Sequence, residues 1–231
     1  MSERSVRSAR SRRACLLVLS VLLLSTAGSA RAEGPLAPPA PRAPTEEPSA
    51  WAESRPEDLL IKLVTFGPGD DIFNYFGHNA MIVEDRVQHL ARLYNFGMFH
   101  FGVDMLPNYM KGKLTFWVAE APVRPTYAHY HAANRSIRVQ ELSLTPERRK
   151  HVADALARAV LPENRDYLYD HFYNNCSTRL RDLVDEATDG QFKRALDHAG
   201  RMSYRQHIRR YTERDPITDF GLVFWMNDFM E

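Results

Sequence analysis

Cys176 stands in the run Tyr-Asp-His-Phe-Tyr-Asn-Asn-Cys-Ser-Thr-Arg-Leu, where the pattern of the chain predicts the start of a helix. The chain has two cysteines, and the other, Cys15, lies in a stretch with the character of an export signal. An exported protein usually pairs its cysteines or has none, so one thiol remaining after export calls for an explanation. At a helix N-terminus the unpaired N–H groups and the positive end of the helix dipole favour thiolate. The same groups suit an oxyanion formed when sulfur attacks a carbonyl, with Asn174 or Asn175 as a cap or a side-chain donor. The local sequence fits a small buried core residue equally well.

A cysteine nucleophile needs a histidine within hydrogen-bond reach. Of nine histidines, His78 is placed best: it follows Gly77 and opens the predicted strand His-Asn-Ala-Met-Ile-Val-Glu. A strand end is a rigid mount for an imidazole. His171, five residues before Cys176, competes by proximity but reaches the thiol only in particular turns. His129 and His131 form an H-x-H pair without matching further ligands, so neither a metal nor another cofactor is expected.

The positioning elements are legible from pattern. Leu59 to Phe66 reads as a buried strand ended by Gly67-Pro68-Gly69. His78 to Glu84 and Val87 to Phe96 read as a hairpin around Asp85-Arg86, with further strands at Leu114–Ala121 and Ser136–Leu142 and a short helix over Thr126–Ala133. Thr145 as N-cap, Pro146 at the first helical position and Glu147 in the first turn open a helix whose inner face is Val152, Ala155, Leu156, Ala159 and Val160. A second helix runs from Cys176 to near Gly190 with Leu180, Leu183, Val184 and Ala187 inward, and a third spans Ser203 to Tyr211. The order and content predict an α+β domain with a mostly antiparallel sheet packed against helices.

Residues 1–32 combine five arginines before Ala14, an apolar run to Leu24 and an Ala30-Arg31-Ala32 site, the signature of a secretory signal peptide. Six prolines between Glu33 and Ala50 predict an extended linker, which leaves 51–231 as one domain. Loss of the leader removes six of the 30 basic residues and one of the 29 acidic ones, leaving 24 against 28 and a net charge of −4. That mild acidity argues against nucleic acid as a partner. Oligomeric state is not legible.

Four stretches carry a resemblance. They are Leu63-Val64-Thr65-Phe66-Gly67-Pro68-Gly69-Asp70, Phe76-Gly77-His78-Asn79, Tyr94-Asn95-Phe96-Gly97-Met98-Phe99, and Glu163-Asn164-Arg165 through Tyr173-Asn174-Asn175-Cys176-Ser177-Thr178. Together they resemble the bacterial Lnb N-terminal periplasmic domain family, and more distantly the circularly permuted papain-like thiol enzymes of the NlpC and lecithin:retinol acyltransferase type. The resemblance implies a permuted papain-like fold and a periplasmic, cell-envelope Cys-His enzyme similar to lipoprotein N-acyltransferases. Cys176 matches the nucleophile, His78 the general base, and Asn95 a recurrent Tyr-Asn-x-Gly position suited to orienting the imidazole. Lipoprotein and phospholipid acyl chains at a membrane surface are the implied partners. An acyl channel would draw on Phe96–Met110, and a membrane-facing lip on Phe220–Met230. An envelope cysteine hydrolase acting on peptidoglycan stems, or a binding module without catalysis, uses the same framework. The apolar end at 220–231 is too short to span a bilayer, which fits either a fragment of a longer protein or a tail folded back on the domain.

Overall fold

A computed structural model describes residues 49–100, 102, 107–108, 113–198 and 200–225. The expected signal peptide, nearly all of the linker and much of the Phe96–Met110 stretch lie outside these residues, as do the last six. Six strands form one antiparallel sheet in the order β5-β1-β2-β3-β4-β6. They are β1 (Leu59–Phe66), β2 (His78–Asp85), β3 (Leu90–Met98), β4 (Thr115–Pro122), β5 (Ile137–Glu141) and β6 (Asp166–Leu168). The helices are α1 (Val123–Ala132), α2 (Pro146–Ala159), α3 (Cys176–Ala187), α4 (Gln191–Ala195), α5 (Tyr204–Thr212) and α6 (Pro216–Trp225). The architecture is α+β.

Both faces of the central strands are covered, which is why their sequences are nearly continuous apolar runs. Successive side chains alternate across a strand, and the two sets enter separate cores. Leu59, Ile61, Met81, Val83, Tyr94 and Phe96 pack with Val152 and Leu156 of α2 and Leu180 of α3. Val64, Phe66, Ala80, Ile82 and Leu93 pack on the opposite face with Tyr130 of α1. Trp51 is wholly buried in the first core, and its indole N–H donates to the Tyr94 hydroxyl at 2.7 Å. The folded domain therefore includes Trp51.

Several boundaries differ from expectation for identifiable reasons. The β2–β3 turn spans Arg86–His89, so β3 begins at Leu90 and Val87 lies exposed in the turn. The buried Asp85 carboxylate imposes this by accepting the N–H groups of Val87 and Gln88, and His89 takes φ 53°. Helix α1 starts three residues early because Pro125 falls in its first turn, where a missing N–H is harmless. Helix α3 stops at Ala187, and Gly190, at φ 74°, instead leads into α4. Strand β6 was too short for pattern to reveal. Helix α6 has the start signal Asp215-Pro216: the Asp215 carboxylate accepts Thr218 N–H at 3.1 Å. Among the described residues no helix is long and apolar enough to cross a membrane.

Candidate active site

His78 is the first residue of β2, paired with Phe66 at the end of β1. Gly77 delivers the chain to it at φ 71°, and a Cβ there would sit 2.8 Å from the Phe66 carbonyl oxygen, so only glycine fits without strain. The imidazole lies parallel to the Phe66 ring, centroids 6.2 Å apart, and Tyr130 stacks on the far side of Phe66 at 3.6 Å. Asn95, opposite Ala80 on β3, has its Oδ1 2.8 Å from His78 Nε2, and the same oxygen accepts the Gly97 N–H at 2.9 Å. With Asn95 Oδ1 as acceptor, Nε2 carries the proton and Nδ1 keeps its lone pair. A β-bulge between Asn95 and Met98 brings Gly97 against the ring. A Cβ on Gly97 would lie 2.7 Å from His78 Cε1.

Cys176 opens α3, and Asn175 caps that helix. The Asn175 Oδ1 accepts the N–H groups of Ser177 at 2.9 Å and Thr178 at 3.0 Å, while Thr178 Oγ1 accepts the Asn175 N–H. This cap does not engage the Cys176 N–H, for which no partner occurs among the described residues. The amide nitrogens of both asparagines expected as oxyanion donors are directed at backbone carbonyls. Asn174 Nδ2 donates to Leu168 O at 2.7 Å and Asn175 Nδ2 to His171 O at 2.8 Å. Asn174 and Asn175 hold the turn that presents the thiol.

By strand alternation His78 and Asn95 belong to the α1 side of the sheet, whereas α3 packs on the other. They meet because His78 is at the very start of its strand, where the two layers close around the sheet end. Asn79 makes the junction: its Nδ2 donates to Ser177 Oγ at 2.8 Å, its Oδ1 accepts from Thr65 Oγ1 at 2.8 Å, and its backbone N–H hydrogen-bonds the Cys176 sulfur. The sulfur is also hydrogen-bonded with His78. The thiol and imidazole, 98 positions apart in sequence, form a pair.

Burial alone would push the Cys176 thiol up. The positive charge of His78, its hydrogen bond, the Asn79 N–H and Ser177 outweigh that and bring it down to about 7. For His78, burial opposes the charged ring, but Cys176 and Asn95 prevail against it and against nearby Arg135, so its pKa rises. Both shifts favour proton transfer from the thiol to the imidazole. His171 shifts the other way, lowered by burial despite Asp170. It contributes its backbone carbonyl to the Asn175 amide instead of a base to the thiol. His129 and His131 are two positions apart on α1 and so project from different sides of it, and no cluster of three metal-ligating side chains occurs among the described residues.

Asn79, Ser177, Gly97 and Arg135 belong to the site without having been singled out by sequence. Asn79 and Ser177 sit next to the two reactive residues, and that adjacency was the available signal. Arg135 had none: it reaches 68 residues back to donate from Nε to Gly67 O at 2.8 Å and from Nη1 to Asn74 Oδ1 at 2.7 Å, fixing the loop that leads to His78. Aromatic side chains on the loops before His78 and Cys176 contact helix α5. The helix crosses between these two loops, Tyr204 meeting Phe172 at 4.7 Å and Tyr211 meeting Phe76 at 5.8 Å. Seven residues separate the two tyrosines, so they share a face about 10 Å long. Tyr75 donates to Asp215 at 3.3 Å beside the second contact.

A family model described as the Lnb N-terminal periplasmic domain matches residues 47–214, a span that contains Cys176, His78 and Asn95. No curated protein and no solved structure matches the chain.

Proposed function

The chain belongs to the Lnb N-terminal periplasmic domain family, an envelope-associated family, and from that footing we propose that it is a cysteine-dependent acyltransferase of the cell envelope. The observation that carries the proposal is the Cys176–His78–Asn95 arrangement, with the thiol poised at about 7 and the imidazole held by Asn95 in the tautomer that accepts a proton. We read the fold as permuted papain-like, with the base on an early strand and the nucleophile on a late helix.

In this reaction the Cys176 proton passes to His78 Nδ1 and the sulfur attacks the ester carbonyl of a phospholipid or lipoprotein acyl donor. The Cys176 N–H is the group best placed to receive the developing oxyanion. As the carbon–oxygen bond breaks, His78 returns the proton to the leaving alcohol, and an acyl thioester remains. An amine then attacks the thioester carbon, His78 takes its proton, and the carbon–sulfur bond breaks to restore the thiol. Asn95 and Asn79 position the pair and touch no substrate in this scheme. The exposed Phe76 and Tyr173, on the loops that lead into His78 and Cys176, suit an acyl chain better than a polar peptide.

Intact mass after incubation with phospholipid vesicles tests the proposal. The wild-type protein gains one acyl mass, removable by hydroxylamine, and Cys176→Ala gains none. Failure to form the adduct, with Cys176-dependent cleavage of a peptidoglycan fragment, replaces transfer with the hydrolase reading.

A further inference from the structure

Helix α6 carries an apolar stripe on its solvent side. Ile217, Phe220 and Phe224 are 81%, 72% and 74% exposed, and at three- and four-residue spacing they share one narrow face. Phe220 and Phe224 stack with centroids 5.9 Å apart, so the stripe is continuous apolar surface and not scattered side chains. The helix packed against α6 is basic: Arg201, Arg205, Arg209, Arg210 and Arg214 fall in or next to α5, and Arg205 reaches the Val223 carbonyl of α6 at 3.3 Å.

Two of the three acidic residues of the same hairpin are turned to internal use, and Glu213 stays exposed. Asp219 accepts from Thr212 Oγ1 at 2.7 Å and pairs with Arg209 at 3.5 Å. Asp215 accepts from Thr218 and Tyr75. Arg210 and Arg214 are exposed and make no ion pair among the described residues. Among the described residues the outward charge of the hairpin is therefore net positive, Arg210 and Arg214 against Glu213, although the chain beyond the expected leader is acidic overall. An apolar face bordered by arginine is the arrangement by which a helix lies in the surface of an anionic bilayer. A second copy of this chain is disfavoured as the occupant, because it would set the arginine fringe against its own like charge.

We propose that the α5–α6 hairpin docks the domain on an anionic lipid surface, with Ile217, Phe220 and Phe224 entering the acyl boundary and Arg210 and Arg214 on the headgroups. This deepens the acyl-transfer reading, since α5 is also the helix that crosses between the loops flanking Cys176 and His78. Docking then brings these loops to the source of the acyl donor.

The test uses the full chain carrying Cys176→Ala, so that no acylation occurs and lipid contact is read by itself. Sedimentation with phosphatidylglycerol–phosphatidylcholine vesicles should capture this protein more strongly than pure phosphatidylcholine vesicles do, and capture should weaken as salt is raised. The triple change Ile217→Ser, Phe220→Ser, Phe224→Ser should weaken capture at least about tenfold. Arg210→Glu with Arg214→Glu should do the same at low salt while leaving the apolar face intact. Hydrogen exchange over residues 216–225 should slow only with anionic vesicles. The leader is common to every protein compared, so the ratios and the local exchange report α6. Equal capture of wild-type and variant chains, unchanged exchange over α6, or a variant effect confined to oligomeric state overturns the proposal. If the triple variant does not fold, the arginine pair and the exchange data decide. Capture without thioester formation by the Cys176-containing chain would defeat the acyl-transfer reading alone and leave the docking surface standing.

Discussion

Replacing His78 by alanine gives the sharpest view of what the imidazole does. It removes both influences through which His78 brings the thiol down to about 7, and burial, which pushes upward, remains. Only the Asn79 N–H and Ser177, the smaller of the lowering influences, then oppose burial, and the thiol should titrate near its ordinary 9.0. At pH 7 the thiolate fraction falls from about one half to about one hundredth, roughly fiftyfold. Each thiolate becomes more nucleophilic as its pKa rises, by about eightfold for two pH units at a Brønsted slope near 0.45. The net expectation is alkylation by iodoacetamide about sixfold slower at pH 7 and about sixfold faster near pH 9.5, with the two rate profiles crossing in between. The assay is the labelling rate of Cys176 from pH 5 to 10, followed by intact mass. A profile whose midpoint stays near 7 in His78→Ala would show that the helix terminus and Asn79 set the thiol's acidity without the histidine.

The other predictions test the supports of the pair. Gly97→Ala places a methyl 2.7 Å from His78 Cε1, so the ring must shift; the labelling midpoint should rise toward that of His78→Ala with little loss of thermal stability. Asp85→Ala should cost about 1–3 kcal/mol in urea unfolding, because the two turn N–H groups lose their buried acceptor. The folded-state pKa of Asp85 is depressed: burial pushes it up, but the N–H bonds and Ser54 hold it below the usual carboxylate range. Its contribution is thus complete above the unfolded value near 4 and lost as pH falls through the folded one, so wild type and variant should converge in acid. Trp51→Ala removes a fully buried indole and leaves the Tyr94 hydroxyl without its donor; denaturant unfolding should show about 3–5 kcal/mol of lost stability.

The pairing of Cys176 with His78 was legible because each member sits at a punctuated element boundary. Gly77 before His78 and the asparagines before Cys176 are chemically required where they stand, one for a left-handed backbone and the others to cap and hold a turn. The core strands were readable too, since burial on both faces removes polar interruptions. What pattern missed depends on distant partners. Nothing local marks Arg135 as the clamp of the Gly67–Asn74 loop, and three-residue β6 exists only because β4 offers an edge. The oxyanion roles considered for Asn174 and Asn175 illustrate the same limit: sequence gave their position at the helix start, but not the carbonyls of Leu168 and His171 that engage their amides.

The acidity of Cys176 also exposes it to oxidants. A thiolate at neutral pH is the form that peroxide attacks, and sulfenic acid is the first product. Many redox-active proteins resolve that product with a neighbouring cysteine, but the folded domain holds no second thiol and Cys15 lies within the expected leader. Recovery must then come from an external reductant, and without one oxidation proceeds to the irreversible sulfinic acid. Brief peroxide treatment should abolish labelling of Cys176 in a way that a small dithiol reverses, with reversal fading as exposure lengthens. In an oxidising compartment, the same pairing that readies the sulfur for attack makes its working life dependent on a reducing partner.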